Sequence, residues 1–109
     1  MNEIDSDGFK NQSQGSTAVV FFYTPLCGTC KLAQQMMEHV EKIYDGFLFY
    51  KANINQVPDV AKKEKIESVP CLKLYKNGQV METIYAFHSI PSLLKKLHPS
   101  LKQFIKTNK

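Results

Sequence analysis

The sequence has no apolar stretch long enough to cross a membrane. A spanning helix needs roughly 20 consecutive apolar residues, whereas the longest apolar run here covers only residues 18–23. Residues 1–16 are polar and carry more acid than base, so they lack the basic and apolar regions of a secretion signal. We therefore expect no membrane association and, for a full-length sequence, a cytoplasmic protein.

Cysteine is scarce, and its number is odd. The 109 residues contain three cysteines, at positions 27, 30 and 71. Cytosolic thiols are kept reduced, so a small fold held together by several disulfide bonds is not expected. A functional pair, Cys27 and Cys30, together with one additional cysteine, Cys71, fits this usage better.

The composition is that of an ordinary globular protein. With 43% hydrophobic and 22% charged residues, the chain is not expected to be wholly disordered. Its length fits one domain over residues 1–109, with residues 1–16 as an N-terminal segment. The net charge of +4 comes largely from late lysines: Lys95, Lys96, Lys102, Lys106 and Lys109. Because basic and aromatic residues do not interleave, we interpret these lysines as a solvated helix face and expect no nucleic-acid partner.

Hydrophobic patterning predicts strands that alternate with helices. Residues 17–23, "TAVVFFY", are β-branched and aromatic without alternation, as in a central strand buried on both faces. Apolar residues at helical spacing predict a long helix over residues 28–44, and Asn77-Gly78 predicts a hairpin turn. Pro99 is expected to kink or divide the last helix.

The remaining predicted elements complete an α/β fold. Strands are predicted at 47–54, 71–76 and 79–86, and helices at 4–12, at 58–65 and from Ser89 onward. A strand-helix-strand half followed by a hairpin and a last helix implies a central mixed sheet of about four strands. Helices are expected on both faces of that sheet.

Cys27 and Cys30 fall where the predicted strand 17–23 gives way to the predicted helix 28–44. Residues three apart on a helix have Cβ atoms about 5 to 6 Å apart, so a small rotamer change can close a disulfide bond. The helix N-terminus supplies free N–H groups and a partial positive charge, which favour a thiolate at Cys27. We therefore predict that Cys27 attacks a disulfide and that Cys30 resolves the resulting mixed disulfide.

Three sequence features together resemble the thioredoxin family. "CGTC" follows an aromatic-rich strand, and both a Val-Pro pair and a Lys-Asn-Gly turn occur in the later segment "KANINQVPDVAKKEKIESVPCLKLYKNGQV". The similarity covers most of the chain, from about residue 17 to about residue 97. It implies a thioredoxin-like fold and the activity of a thiol-disulfide oxidoreductase that acts on protein disulfides.

The resemblance also implies roles for individual residues. Val69-Pro70 matches the family's pair in which the proline is cis, faces the sulfurs and leaves the preceding backbone free to bind an extended substrate. Gly28 and Thr29, which separate the cysteines, join this pair in the expected substrate-binding surface. Lys51 resembles a partly buried lysine beneath the site and is an accessory candidate.

The sequence departs from the family pattern near the cysteines. Leu26 replaces a tryptophan, and Thr29 replaces a proline and adds a hydroxyl, so we expect a somewhat less reducing couple than in a typical thioredoxin. Phe21 replaces a buried aspartate that assists deprotonation of the resolving cysteine, which predicts that resolution by Cys30 is slow or uses water or another group. Cys71 stands where threonine is common, close to the active-site pair. It is a second accessory candidate, either a third redox thiol or, as we favour, a core residue.

The resemblance implies an enzyme that needs no bound cofactor, because its electrons reside on the redox-active Cys27-Cys30 disulfide. The partners it implies are disulfide-containing proteins and a reductant, either a flavin enzyme of the thioredoxin-reductase type or a low-molecular-weight thiol. We expect a monomer. Two alternatives stay open. One is a redox-weak binding module that uses the Pro70 groove, and the other is a metal site on the three cysteines. The metal site lacks a fourth ligand for zinc, so no metal-binding residue is assigned.

Overall fold

A mixed five-stranded sheet forms the centre of the molecule. The structure, a computed structural model, describes residues 1–106. In chain order the strands are β1 (Asn2–Glu3), β2 (Thr17–Tyr23), β3 (Phe49–Asn53), β4 (Cys71–Lys76) and β5 (Gln79–Ile84). They lie side by side in the order β1-β3-β2-β4-β5. Strands β1, β3 and β2 run parallel, whereas β4 is antiparallel to β2 and β5 is antiparallel to β4. The predicted α/β class and mixed sheet are confirmed.

The observed sheet has five strands, and the predicted sheet of about four strands lacked β1. This strand consists of two exposed polar residues, Asn2 and Glu3, which pair with β3. So short a polar segment carries no hydrophobic alternation, and its pairing depends on a strand far away in sequence. The predicted helix 4–12 consequently begins later, as α1 (Ser6–Ser13), where the Asp5 carboxylate accepts a hydrogen bond from the Gly8 N–H and caps the helix.

Strand β2 lies in the middle of the sheet, as its unbroken apolar sequence predicts. Residues 18–22 are all fully buried. Successive side chains of a strand point to opposite faces, and accordingly Val19 and Phe21 belong to one hydrophobic cluster while Val20 and Phe22 belong to another. Both faces of β2 therefore pack against a core.

Helices cover both faces of the sheet. The face that carries Val19 and Phe21 packs against α2 (Gly28–Ile43) and α4 (Ile90–Leu101), and we call it the α2 face. The opposite face packs against α1 and α3 (Pro58–Lys63), and we call it the α1 face. Within residues 1–106, no helix combines the length and apolarity needed to span a membrane.

Several predicted boundaries shift in the structure. The predicted strand 47–54 is shortened to β3 because Gly46–Leu48 form a turn of 3-10 helix. Strand β5 ends at Ile84 and leaves residues 85–89 without regular structure. Helix α4 continues past Pro99 and is followed by a 3-10 turn at Lys102–Phe104, so Pro99 does not divide it. Its predicted start is accurate, because Ser89 caps α4.

The late lysines lie on the surface, as the sequence predicts. Lys95, Lys96, Lys102 and Lys106 are exposed, and Lys109 lies outside the described residues. These side chains face solvent on α4 and on the segment that follows it.

Candidate active site

The cysteine pair lies at the junction of β2 and α2. Strand β2 ends at Tyr23, and α2 begins at Gly28 with Cys27 as its N-cap residue. The Sγ atom of Cys27 accepts a hydrogen bond from the Cys30 N–H at 3.1 Å, in the place of the side-chain oxygen that usually caps a helix. The two cysteines form a disulfide bond, with their Cα atoms 5.1 Å apart. This position at the start of the helix is the one that the sequence predicts.

The two sulfurs differ in their access to solvent. Cys30 is only 2% exposed and packs in the core of the α2 face, whereas Cys27 is partly exposed. An attacking sulfur must reach a disulfide in a docked substrate. Cys27 is the more accessible sulfur of the pair.

The surroundings of Cys27 favour a negative charge on its sulfur. The Thr29 hydroxyl oxygen lies 3.3 Å from the Cys27 Sγ. In the reduced protein, a Cys27 thiolate can accept hydrogen bonds from this hydroxyl and from the Cys30 N–H, at the positive end of α2. Gly28 is exposed, and a Cβ atom at this position would have no neighbour within 4 Å. The side of Gly28 thus leaves room for a substrate to approach.

An apolar groove of about 360 Å³ begins beside the cysteine pair. The Val69-Pro70 peptide bond at its edge is cis. Leu32, which lines the groove, is 61% exposed, and Leu26, next to Cys27 in sequence, is 97% exposed. The residues that line the groove include Thr29, Leu32, Met36, Pro70, Tyr85 and Phe87. An exposed apolar surface of this kind is suited to binding a polypeptide.

Aromatic side chains, among them that of Phe21, fill the space beneath the site. Phe21 is fully buried in the cluster that contains Cys30. Its ring stacks on Tyr23 at 6.1 Å and meets Phe87 edge-on at 5.8 Å, measured between ring centroids. Among residues 1–106, the buried polar side chains are Ser13, Asn53 and Lys73, and none of them is a carboxylate. Within the described residues, no buried acidic side chain therefore takes the place of the family's aspartate, which is Phe21 in this sequence.

Lys51 lies next to Phe21 in the sheet. The two residues are paired in register between β3 and β2, and Lys51 is half-buried. Its Nζ atom lies 5.8 Å from the centroid of the Tyr23 ring, a cation–π distance. Burial and the hydrogen bond that the Tyr23 hydroxyl donates to Glu3 raise the pKa of Tyr23 to about 12. Tyr23 is therefore protonated at neutral pH and cannot act as a base for Cys30.

Cys71 is a core residue on the other side of the sheet. It is 0% exposed and packs with Phe22 and Val60 on the α1 face, whereas Cys30 lies on the α2 face. Burial raises the pKa of the Cys71 thiol above its usual value, although a hydrogen bond from Tyr85 and the charge of Lys73 oppose this shift. The register of β4, which pairs Cys71 with Phe22 of β2, directs its side chain to the face opposite Cys30 and favours the core interpretation.

Two residues that line the groove, Tyr85 and Phe87, were not predicted from the sequence. Tyr85 and Phe87 follow directly after the end of β5, outside the regular strand, so strand alternation gave no signal for their orientation. Their position depends on where the β4-β5 hairpin ends. For the alternative of a metal site, residues 1–106 contain no group of three or more histidine, cysteine or acidic side chains arranged to hold a metal ion.

Comparison with known proteins assigns the family. The sequence matches the Thioredoxin family model over residues 2–105, nearly its whole length. The chain belongs to the thioredoxin family. Thioredoxins are disulfide oxidoreductases that use their own dithiol and need no bound cofactor, and the present chain has the CxxC pair in that position. This family member is therefore a thiol-disulfide oxidoreductase.

Individual relatives cover most of the chain. The thioredoxin-like protein YusE of Bacillus subtilis is 45% identical over 75 residues, which are 69% of this chain and 71% of that protein. Thioredoxin 1 of Plasmodium falciparum is 35% identical over 85 residues, covering 78% of this chain and 80% of that one. The solution structure of the oxidised thioredoxin from Plasmodium falciparum has a TM-score of 0.79 at 27% identity. It covers 93% of this chain and 98% of that chain.

Proposed function

We propose that this thioredoxin reduces disulfide bonds of protein substrates through a mixed disulfide on Cys27. The observation that supports this most is the position of the Cys27 sulfur, which caps α2 and is the more exposed of the two. A thiolate there has a backbone donor in the Cys30 N–H and a hydroxyl donor in Thr29. These contacts stabilise the attacking species before a substrate arrives.

The reaction proceeds in two exchanges. In the first, the Cys27 thiolate attacks one sulfur of the substrate disulfide, and the other substrate sulfur leaves as a thiolate that takes up a proton. In the second, the Cys30 thiolate attacks Sγ of Cys27, so the Cys27-Cys30 disulfide forms and the second substrate sulfur leaves. Two electrons pass from the dithiol to the substrate, and the protein ends in its oxidised form.

Substrates are proposed to dock along Val69-Pro70 and the groove beside Thr29. Residues 67–69 belong to no helix or strand, and within residues 1–106 their backbone makes no hydrogen bond to another backbone group. The N–H and C=O of Val69 are therefore available to an extended peptide, in the manner of an added strand. Leu26, exposed and next to Cys27 in sequence, is proposed to add apolar contact, and Gly28 has open space around it beside Cys27.

The second exchange is proposed to be slow. Cys30 must lose its proton before it can attack, and Phe21 occupies the position from which the family's aspartate assists that step. The proton then passes to water or to the departing substrate sulfur. A mixed disulfide on Cys27 is consequently expected to persist longer than in a thioredoxin that retains the acid.

The proposal also covers three further points: the reductant that regenerates the dithiol, the oligomeric state and the location in the cell. Thioredoxins are reduced by thioredoxin reductase, and we propose such a flavin enzyme here, with low-molecular-weight thiols as the other source of electrons. We propose a monomer of a single domain over residues 1–109, because one groove and one cysteine pair suffice for both exchanges. A cytoplasmic location is proposed because a free thiol such as Cys71 persists most readily where thiols are kept reduced.

The absence of an acid at Phe21 favours one alternative, a thioredoxin-fold module that binds partners in the Pro70 groove and has little redox activity. Reduction of insulin by dithiothreitol separates the two functions. The proposed enzyme accelerates this reaction, and Cys27→Ser abolishes the acceleration. If the wild-type protein is no faster than Cys27→Ser, the binding module is the better account. The variant Cys30→Ser then identifies substrates, because a mixed disulfide on Cys27 cannot be resolved and the captured proteins stay attached.

A further inference from the structure

We propose that Tyr85 is a positioning residue that holds the backbone before Pro70 in place for substrate docking. This inference rests on the proposed function, in which an extended substrate binds along Val69. The Tyr85 hydroxyl accepts a hydrogen bond from the backbone N–H of Glu67 at 3.2 Å. The ring of the same residue lines the groove together with Pro70 and Phe87. One side chain thus forms part of the substrate surface and also contacts the segment that carries the docking backbone.

The segment before Pro70 has few other polar attachments. Residues 67–69 lie between α3 and β4 without regular structure. Within residues 1–106, no backbone–backbone hydrogen bond reaches them, and the contact from Tyr85 to Glu67 is the hydrogen bond that anchors their backbone. The side chain of Val69 packs against both hydrophobic clusters. Apolar packing thus holds one end of this segment, and Tyr85 fixes the other.

The position of Tyr85 in the fold makes it a rigid anchor. It directly follows Ile84, the last residue of β5, which is fully buried and paired in register with Leu72 of β4. The Tyr85 ring is 36% exposed, so a docked substrate can contact it. Loss of the hydroxyl should loosen the segment 67–69 without disturbing the helix cap at Cys27. The expected consequence is weaker substrate binding with unchanged thiol chemistry.

The variant Tyr85→Phe tests the proposal because it keeps the ring and removes the hydroxyl. We expect the KM for insulin to rise about threefold to tenfold, the effect of losing one hydrogen bond, while kcat stays unchanged. Reduction of the small aromatic disulfide 5,5′-dithiobis(2-nitrobenzoic acid), which needs no extended docking, should keep its wild-type rate. The matched control is Tyr50→Phe, which removes a hydroxyl bonded to Gln12 on an exposed part of the fold and should leave both reactions unchanged.

A second measurement does not depend on activity. Hydrogen exchange at the Glu67 amide should accelerate in Tyr85→Phe and remain at the wild-type rate in Tyr50→Phe. An unchanged Glu67 exchange rate, an unchanged KM for insulin, or an equal loss with both substrates would overturn the role of Tyr85. If the wild-type protein itself fails to reduce insulin, the proposed function fails. In that case the exchange rate at Glu67 still decides whether Tyr85 anchors the segment.

Discussion

The Thr29 hydroxyl oxygen lies 3.3 Å from the Cys27 sulfur, in the dipeptide that separates the two cysteines. The same sulfur accepts a hydrogen bond from the Cys30 N–H at the start of α2. Two donors and the helix N-terminus therefore converge on one atom, and each stabilises a thiolate more than a thiol. The predictions about the first exchange follow from this arrangement.

Replacement of Thr29 by valine should make the Cys27 thiolate harder to form. Thr29→Val keeps the branched shape of the side chain and removes the donor. The pH profile of the reaction with a small disulfide should move to higher pH. At acidic pH, where thiolate is the minor form, the rate should fall about threefold, as expected for one exposed hydrogen bond. Thr29→Ser retains the hydroxyl and should follow the wild-type profile. Identical profiles for the valine and wild-type proteins would exclude this contact.

The redox potential should be less negative than that of a typical thioredoxin, which is about −270 mV. Contacts that stabilise the Cys27 thiolate stabilise the reduced protein, and a stabilised reduced form makes a couple more oxidising. Equilibration with glutathione measures the potential. Thr29→Pro restores the proline of the family and should shift the potential to a more negative value, since proline is tolerated in the first turn of a helix. A wild-type potential at or below the typical value would reject the prediction.

Resolution of the mixed disulfide should depend strongly on pH. Phe21 leaves Cys30 without a buried carboxylate among residues 1–106, so attack depends on the small fraction of Cys30 present as thiolate. The resolution rate should therefore rise about tenfold per pH unit until Cys30 is fully ionised. Stopped-flow measurement on a preformed mixed disulfide gives this profile. Lys51→Met should show the same slope. The Lys51 ammonium contacts the Tyr23 ring, and we assign it no role in the deprotonation of Cys30. A rate that is constant across neutral pH would reveal a base that this account lacks.

Cys71 should not take part in the redox cycle. Its side chain is buried on the α1 face, and burial raises the pKa of its thiol, so the group stays protonated at neutral pH. Cys71→Ser should retain wild-type turnover and the Cys27-Cys30 disulfide, with a free energy of unfolding lower by about 1 kcal/mol for a buried polar replacement. Peptide mapping of oxidised protein that found Cys71 in a disulfide would contradict this assignment.

The raised pKa of Cys71 also gives a pH dependence of stability. A group whose pKa is higher in the folded state favours folding below its unfolded pKa, and it loses that contribution as the pH rises through the folded value. The wild-type protein should therefore lose stability at alkaline pH relative to Cys71→Ser. Chemical denaturation of the two reduced proteins at neutral and alkaline pH measures the difference. Parallel losses in both would show that Cys71 ionisation has no influence.

The strand-to-helix junction could be predicted from the sequence because its signals are local. An unbroken apolar run made β2 a central strand, and apolar residues at helical spacing identified α2. These two elements position the cysteines independently of the rest of the chain. Contacts between segments that are distant in sequence were harder to predict. The polar residues Asn2 and Glu3 form a strand only because β3 provides an edge for them.

The face occupied by a side chain was harder to infer than the element that carries it. Pro70 and Cys71 are adjacent in sequence, yet the register of β4 against β2 pairs Cys71 with Phe22 and directs it away from the cysteine pair. Tyr85 and Phe87 lie beyond the end of β5, where strand alternation no longer predicts orientation. Their place in the groove follows from packing around Phe21 and from the bond to Glu67.

Titration of Cys27 alone tests the central claim most directly. The double variant Cys30→Ser, Cys71→Ser leaves Cys27 as the single thiol of the chain and retains the backbone N–H of residue 30 that caps α2. Ultraviolet absorbance of the thiolate should show Cys27 already ionised at neutral pH, well below the ordinary cysteine value of about 8.5. A midpoint like that of free cysteine would contradict the proposal that the helix N-terminus and Thr29 activate this sulfur.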